Sequence, residues 1–536
     1  MPAADLILLA DTVVTGASDG PPVRAVAVAG GLIAAVGDRS DIRDWRGPHT
    51  EVIDLGAATI TPGLVDGHFH PVMGIGMTRG ADLTAVRSIA DLTAALRRAG
   101  ESVGRGGWVE AWGLDPNAFG DVPVTNAPIV EALGPDVLCA VQMFDAHSAI
   151  GSPRALELAG VDGPREFASG ASVACDADGR PTGHLLEMEA TALLDEVMPA
   201  DEPGERRARF RRLLGEMAAS GLTGANAMDF EDDSADLFAA GEDEGELPVR
   251  WRCAPFVNPG VDADGLAAVV ELQRAGGRRW RVDGAKFMID GVIDVGTAWL
   301  EAPDTLGEST SSLWPSPEDY RAAVRFLAGA GVPIVTHAIG DAGIRYVLDT
   351  YQLVGRVSPV PHRMEHLETM PSPLVARFAA LDVTASMQPN HCTHFTHADG
   401  GDNWSRRLGP ERAGRAFRVR DVRDRGGRIA LGSDWPIAPY DPRGVIASAR
   451  LRRPANEPEV EPIGPAQALT AAMALAGYTT AAAASAGLSE VTGRVVPGFQ
   501  ADISVFGLNP LTAGPDEFAE SPVPLTVVDG TVAHRA

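Results

Sequence analysis

The segment Ile60-Thr61-Pro62-Gly63-Leu64-Val65-Asp66-Gly67-His68-Phe69-His70-Pro71 constrains this chain more than any other. It reads as a short buried strand, Leu64 to His70, that ends in a histidine pair. Residues i and i+2 of a strand point to the same side. His68 and His70 therefore face one way and can hold one cation between two imidazoles. Pro71 has no amide proton and ends the ladder. An isolated H-x-H would equally suit two hydrogen-bonded histidines near a turn. Here it follows P-G-L-V-D-G, and further His, Lys and Asp residues end later strands. That recurrence favours a metal site.

From Thr61 onward, strands alternate with helices, the pattern of a parallel α/β domain. Strands are predicted at Val137–Met143, Leu222–Met228, Arg250–Phe256, Ala285–Ile289, Pro333–Thr336, Arg363–Glu365, Val383–Met387 and Arg428–Leu431. With the first strand they exceed by one the eight of a (β/α)8 barrel, which needs about 250 residues and is easily housed in 536. Functional groups of such a barrel sit at the C-terminal ends of its strands. Lys286, His337, His366, His391 and Asp434 all lie at or just beyond predicted strand ends. Taken singly, each histidine is an ordinary polar residue, and Gly432-Ser433-Asp434 is a turn. They gain meaning together, because all would converge at one barrel mouth.

Both chain ends read as β. Asp5–Ala10, Thr12–Thr15, Ala25–Val28 and Leu32–Val36 are short strands separated by Gly- and Asp-containing turns. Ala501–Phe506 and Pro524–Val532 answer them at the other end. One small β-sandwich built from residues 1–60 and 490–536 avoids the exposed strand edges that two separate tails would leave. Residues 61–489 then form the barrel. Pro317-Glu318-Asp319 opens a helix that runs to Ala330. Glu205–Ser220 and Arg406–Arg428 are arginine-rich, and Ala471–Ala486 reads as helix. The arginine runs are read as solvated helix faces, because the net charge of −27 opposes binding to a phosphate backbone. Four cysteines (Cys139, Cys175, Cys253 and Cys392) sit far apart without a C-x-x-C, which suits reduced thiols in a cytoplasm. Asp5 and Asp11 interrupt the N-terminal apolar run. Neither a signal peptide nor a membrane span is expected.

The order of these residues resembles the amidohydrolase superfamily, and more closely its YtcJ-like branch, which includes N-substituted formamide deformylase. The likeness runs from Leu6 to Val532. It includes Arg180-Pro181-Thr182-Gly183-His184-Leu185-Leu186-Glu187, Gly432-Ser433-Asp434-Trp435-Pro436 and Val496-Pro497-Gly498-Phe499-Gln500-Ala501-Asp502. The resemblance implies that barrel strand two begins at Gly221-Leu222-Thr223. Val137–Met143 is then the surplus strand, inside an insertion of about residues 72–201 that roofs the site. It also implies His68, His70, Lys286, His337, His366 and Asp434 as the metal shell. One departure falls in Asp145-Ala146-His147-Ser148-Ala149-Ile150-Gly151-Ser152, where relatives usually have asparagine in place of Gly151.

Imidazoles and carboxylates of this kind hold zinc and leave a position for water. A bound metal lowers that water's pKa to about 7. Asp434 is the expected proton acceptor and donor, and His391 the expected contact to the transition state. His147, Glu187 and Trp435 are expected to shape the substrate pocket. Lys286 stands apart because it is the only lysine among 45 basic residues. A lysine amine can lose its proton where a guanidinium cannot. It can then add carbon dioxide, and the resulting carbamate bridges two ions, as the resemblance also implies. The expectation is a cytoplasmic hydrolase with one or two divalent ions, zinc foremost. It would cleave a non-peptide C–N bond of a small amide, formamide or carbamate-like molecule, without nucleic acid or membrane partners. A homodimer is left open. The alternatives are a phosphoesterase or lactonase on the same metal site, and a non-catalytic binding scaffold.

Overall fold

A computed structural model describes residues 3–17, 22–104, 106–167, 170–200, 203–231 and 233–536. Two parallel sheets organise its centre. One runs in the order Trp280–Val282, Arg250–Cys253, Leu222–Ala227, Leu64–Phe69. The other runs Ala285–Met288, Ile334–Ala338, Arg363–His366, Thr384–Met387, Arg428–Leu431. Isolated parallel bridges, Phe69 with Trp435 and Phe256 with Lys286, connect the two sheets. The predicted strands are all present, with shifted ends. Arg250–Phe256 stops at Cys253, because Pro255 cannot donate to a ladder. Leu64–His70 stops at Phe69, and Pro71 opens the helix Pro71–Met77. The short edge strand Trp280–Val282 was not legible in the sequence.

Helices cover these strands by burying apolar stripes. Pro317–Gly329 begins with proline at its first position and Glu318 and Asp319 in its first turn, which suits the positive end of the helix dipole. Tyr320, Ala323, Val324 and Leu327 follow at i, i+3, i+4 and i+7 and are buried. The Tyr320 hydroxyl lies 2.9 Å from Thr336 Oγ1, which lies 2.7 Å from the Tyr351 hydroxyl. Two helices are thereby clipped to the strand that carries His337. Two helical readings are corrected. Ala471–Ala486 is broken at Thr479 into Ala471–Tyr478 and Thr480–Ser485. Arg406–Arg428 contributes to three short helices, interrupted at Gly409 and Gly414.

A separate six-stranded sheet occupies the segment between the first two central strands. Its order is Ser172–Cys175, Pro181–Leu186, Ser148–Gly151, Leu138–Met143, Trp108–Leu114, Ala81–Asp82. The surplus strand Leu138–Met143 lies here, as expected from the sequence. Gly151 closes its strand against Leu156 and Leu194, each 3.0 Å from where a Cβ would stand, so an asparagine would be crowded there.

The two chain ends meet in one sheet. Thr59–Pro62 pairs antiparallel with Ile503–Phe506, flanked by Thr12–Val13 on one side and by Leu525–Val528 and Thr531–Arg535 on the other. Leu6–Leu9, Ala25–Ala29, Leu32–Gly37 and Glu51–Asp54 form a four-stranded sheet. The two sheets share a core in which Leu8, Val26, Ile60, Ile503 and Val527 are fully buried. This module is tied to the central strands. Gly63 N donates to Asp502 O (2.8 Å), Leu64 N to Ser504 Oγ (3.0 Å), and Ser504 Oγ to Gly221 O (2.6 Å). Arg250 reaches Asp502 and Asp529, each at 3.3 Å.

Candidate metal centre

His68 and His70 do face one way. Their Nε2 atoms are 3.2 Å apart, and both approach Asp434 Oδ1, at 3.2 and 3.1 Å. Lys286 Nζ lies 3.5 Å from His68 Nε2. On the other side of the same carboxylate, Asp434 Oδ2 lies 3.7 Å from His366 Nδ1 and 3.6 Å from His391 Nε2. Two three-residue groups therefore share Asp434: His68 and His70 in one, His366 and His391 in the other. Within each, the ligand-type atoms lie within 4.8 Å of one another. The His337 ring packs 4.4 Å from that of His366. All seven side chains are buried.

Close approach of the first and last central strands makes this arrangement possible. A Cβ on Gly432 would stand 2.5 Å from His68 N, and one on Gly67 would stand 2.7 Å from Leu431 O. Asp66 then ties the strands together, accepting from His68 N (3.0 Å) and Ser433 N (3.1 Å). Alternation along Arg363–His366 would send Glu365 and His366 to opposite faces. His366 adopts φ 72°, which turns its side chain toward the cluster beside Glu365. Asp434 is also left-handed, at φ 61°, as are Ala146 and Glu187 in the segment between the first two central strands, at 58° and 68°. Backbone strain of this kind persists where the surroundings over-determine it, often at functional sites.

The supporting residues include several that sequence reasoning missed. Glu365 Oε2 lies 2.6 Å from His68 Nδ1. The carboxylate can only accept, so Nδ1 carries the proton and Nε2 presents its lone pair to the cluster. Arg363 holds Glu365 through Nε (2.9 Å) and Nη2 (3.1 Å). Burial opposes charge on Glu365, but Arg363 and His68 outweigh it and hold the carboxyl below the usual range. His337 Nε2 donates to Gly291 O at 3.2 Å. Asp229 accepts from Val72 N and Met73 N, at 2.9 and 2.7 Å, and so fixes the turn after His70. Asp290 accepts from Trp299, Ile339 and Gly340 amides behind His337. The visible signals were Asp66 two residues before His68, and Arg363 and Glu365 alternating on one strand.

Electrostatics follow from burial and crowding. Burial, then Lys286, pushes His68 down to about 4. Burial and neighbouring cationic groups hold His337 and His366 well below the ordinary imidazole range. Lys286 is pulled down to about 8, chiefly by burial. Asp434 is held below the usual carboxylate range because His68, His70 and His391 outweigh its burial. Neutral imidazoles beside an ionised carboxylate are the protonation states a cation needs. Three buried atoms of the cluster also lack a hydrogen-bond partner: His366 Nδ1, His391 Nε2 and Asp434 Oδ1. Orphaned buried polar atoms are costly, and a divalent ion satisfies such a set.

A cavity of about 70 Å³ opens on the cluster, lined by His70, Lys286, His337, His366, His391 and Asp434. His147 also lines it, 2.7 Å from Glu187 and with its ring 5.3 Å from that of His337. Burial opposes charge on His147, but Glu187 outweighs it and pushes the imidazole up to about 9. Glu187 itself stands behind His147, against Gly291 and Thr297. Trp435 does not line this cavity. Its ring stacks on Phe69 at 5.2 Å and lines a neighbouring cleft, which His394 also lines. His397 is engaged through its amide by Asp402 Oδ2 at 2.7 Å.

Buried imidazoles, an amine and a carboxylate, gathered at the ends of parallel strands, define the class. The chain belongs to the amidohydrolase family, whose match spans residues 51–534. It is similar to YtcJ of Bacillus subtilis (strain 168), 25% identical over 524 residues that make up 96% of this chain and 97% of that one. It is also similar to N-substituted formamide deformylase of Arthrobacter pascens, 24% identical over 547 residues, covering 99% and 98% of the two chains. Among solved structures, an uncharacterized metal-dependent hydrolase from Pyrococcus horikoshii OT3 superposes with a TM-score of 0.72 at 22% identity, covering 95% of this chain and 99% of that one. The likeness to the YtcJ-like branch expected from the sequence is thus found over nearly the whole chain.

Proposed function

We propose that this protein is a metal-dependent hydrolase that cleaves a non-peptide C–N bond of a small amide, formamide or carbamate-like molecule. The observation that carries the reading is the set of orphaned buried atoms on His366, His391 and Asp434, converging with His68, His70 and Lys286. His68, His70, Lys286, His337, His366 and Asp434 would hold one or two divalent ions, and their nitrogen and oxygen donors suit zinc. A bound ion supplies an activated water and polarises the scissile carbonyl. Asp434 takes the proton of the attacking water and delivers it to the departing nitrogen. His391, in reach of the same carboxylate, steadies the oxygen on which charge develops. Lys286, carboxylated at Nζ by carbon dioxide, would offer anionic oxygen donors to the ion.

In this reading the central strands other than Trp280–Val282 are the eight of one barrel. Residues 1–60 and 490–536 form the β-sandwich, and about 72–201 form the roof. The reading extends to a cytoplasmic location, supported by the free cysteines. Among the described residues, no helix is long and apolar enough to cross a membrane. A phosphoesterase would want arginines at the mouth, and none of the described residues lining the cavity is an arginine.

The test is elemental analysis with a substrate panel. One or two divalent ions per chain are expected, with turnover of N-substituted formamides and amides that chelation abolishes and zinc restores. Asp434→Asn should lower that turnover by about a hundred- to ten-thousand-fold. Faster hydrolysis of lactones or phosphate esters than of any amide would replace this reading. Activity indifferent to chelation would end it.

A further inference from the structure

The cavity lining also includes two stacked aromatic pairs, Phe144 with Phe395 (centroids 4.0 Å) and Trp404 with Phe417 (5.2 Å). The side chains of Asp294 and Glu368 line the same cavity. Glu368 is only 8 % exposed, and its Oε2 accepts from Trp404 Nε1 at 2.6 Å. Asp294 Oδ1 is enclosed and has no hydrogen-bond partner. Asn403 Nδ2 donates to the Asp294 carbonyl (2.6 Å), which fixes the loop carrying that side chain.

Neither carboxylate is paired with an arginine among the described residues. Other buried carboxylates are held by an arginine or, as Asp66, Asp229 and Asp290 are, by backbone amides. Buried Glu365 has Arg363, and buried Asp304 has Arg407. Burial first, and then like charges with Glu368 foremost, raise the pKa of Asp294 well above the ordinary range. His147 in the roof is already committed to Glu187. A buried carboxyl, Glu368, and a half-buried one with an enclosed oxygen, Asp294, share a lining with aromatic faces and with the reaction site, and lack the cation that both kinds of group prefer. Aromatic faces attract cations through the ring quadrupole, and carboxylates form stronger, charge-assisted bonds to N–H donors.

We propose that these residues form a subsite for a positively charged substituent, so that the molecule cleaved carries an ammonium or guanidinium group beside its scissile C–N bond. Asp294 and Glu368 supply carboxyl groups whose ionised form a bound cation favours, and the aromatic pairs supply faces for the apolar part of the same group. The substrate class rests on the hydrolase reading given above. The subsite itself does not, and binding separates the two.

The experiment titrates the metal-loaded, full-length protein calorimetrically with (2-hydroxyethyl)trimethylammonium and with its neutral isostere, 3,3-dimethylbutan-1-ol. The cation should bind about tenfold or more tightly. That preference should collapse in Asp294→Asn and in Glu368→Gln, the latter keeping an acceptor for Trp404. In parallel, N-(3-aminopropyl)formamide and N-butylformamide are offered as substrates, and kcat/KM should favour the charged one by a similar factor. Equal or tighter binding of the neutral alcohol overturns the subsite, as does a preference that survives both substitutions. A cation preference with neither formamide hydrolysed upholds the subsite and instead counts against the C–N bond reading.

Discussion

At His68 one ring nitrogen is committed to Glu365 and the other is left for the cluster. The commitment matters because an imidazole that flips its proton loses the lone pair a cation needs. Glu365→Gln keeps the shape but can present a donor where an acceptor is required. Metal affinity, measured by competition with a chelator, should fall about 10- to 100-fold. Arg363 would also lose its buried counter-charge, a change that costs about 3–5 kcal/mol in comparable pairs. A lower melting temperature should therefore accompany the weaker metal binding. Lys286 offers a cleaner test, because the chain has no other lysine. Protein prepared with metal and ¹³C-enriched bicarbonate should show a single carbamate carbon by NMR, absent from Lys286→Ala. Activity of Lys286→Ala should be partly restored by metal with a short carboxylic acid. A metal-loaded, active protein without that carbon signal would leave Lys286 a plain buried amine.

At the scale of elements, the decisive contact is between the first and last central strands. His68 and Asp434 come from Leu64–Phe69 and from the turn after Arg428–Leu431, and their separation is set by Gly67 and Gly432. Gly432→Ala forces a methyl to within 2.5 Å of His68 N. Overpacking of that kind costs about 1–3 kcal/mol. The expected outcome is a folded protein, with unchanged far-ultraviolet circular dichroism, whose metal occupancy and turnover drop together. Full occupancy in Gly432→Ala would mean that strand spacing does not govern the site.

At the scale of the molecule, the ends of the chain depend on one another. Thr59–Pro62 is paired on one side by Ile503–Phe506, and Ile60 shares a core with Val505 and Val527. Truncation after residue 489 would leave that edge unpaired and that core open. Hydrogen exchange should then show lost protection in Thr59–Pro62 and Ala25–Ala29, while Ile334–Ala338 stays protected. Full protection of Ala25–Ala29 in the truncated protein would show the N-terminal strands to be self-sufficient. The arginine-rich stretches also resolve at this scale. Arg418 pairs with Asp421, Arg420 with Asp424 and Arg407 with Asp304 and Glu308, so these runs are largely neutralised within the fold.

Periodicity and strand-end chemistry are local properties, and the sequence by itself determined them. The alternation after Thr61, the facing pair His68 and His70, and the succession Lys286, His337, His366, His391, Asp434 needed only the two-residue repeat of a strand and the placement of Gly and Pro. Even there the breaks were missed: Thr479 splits an alanine-rich helix whose composition gives no warning. Tertiary structure decided what depends on contacts between distant segments. Glu365 became the partner of His68 across 297 positions. His391 came to share Asp434 with His366, while Trp435, beside Asp434 in sequence, turned away onto Phe69. The left-handed turns at His366 and Asp434 break the alternation by which side-chain direction is read from a strand, so those directions were fixed only when the strands came together.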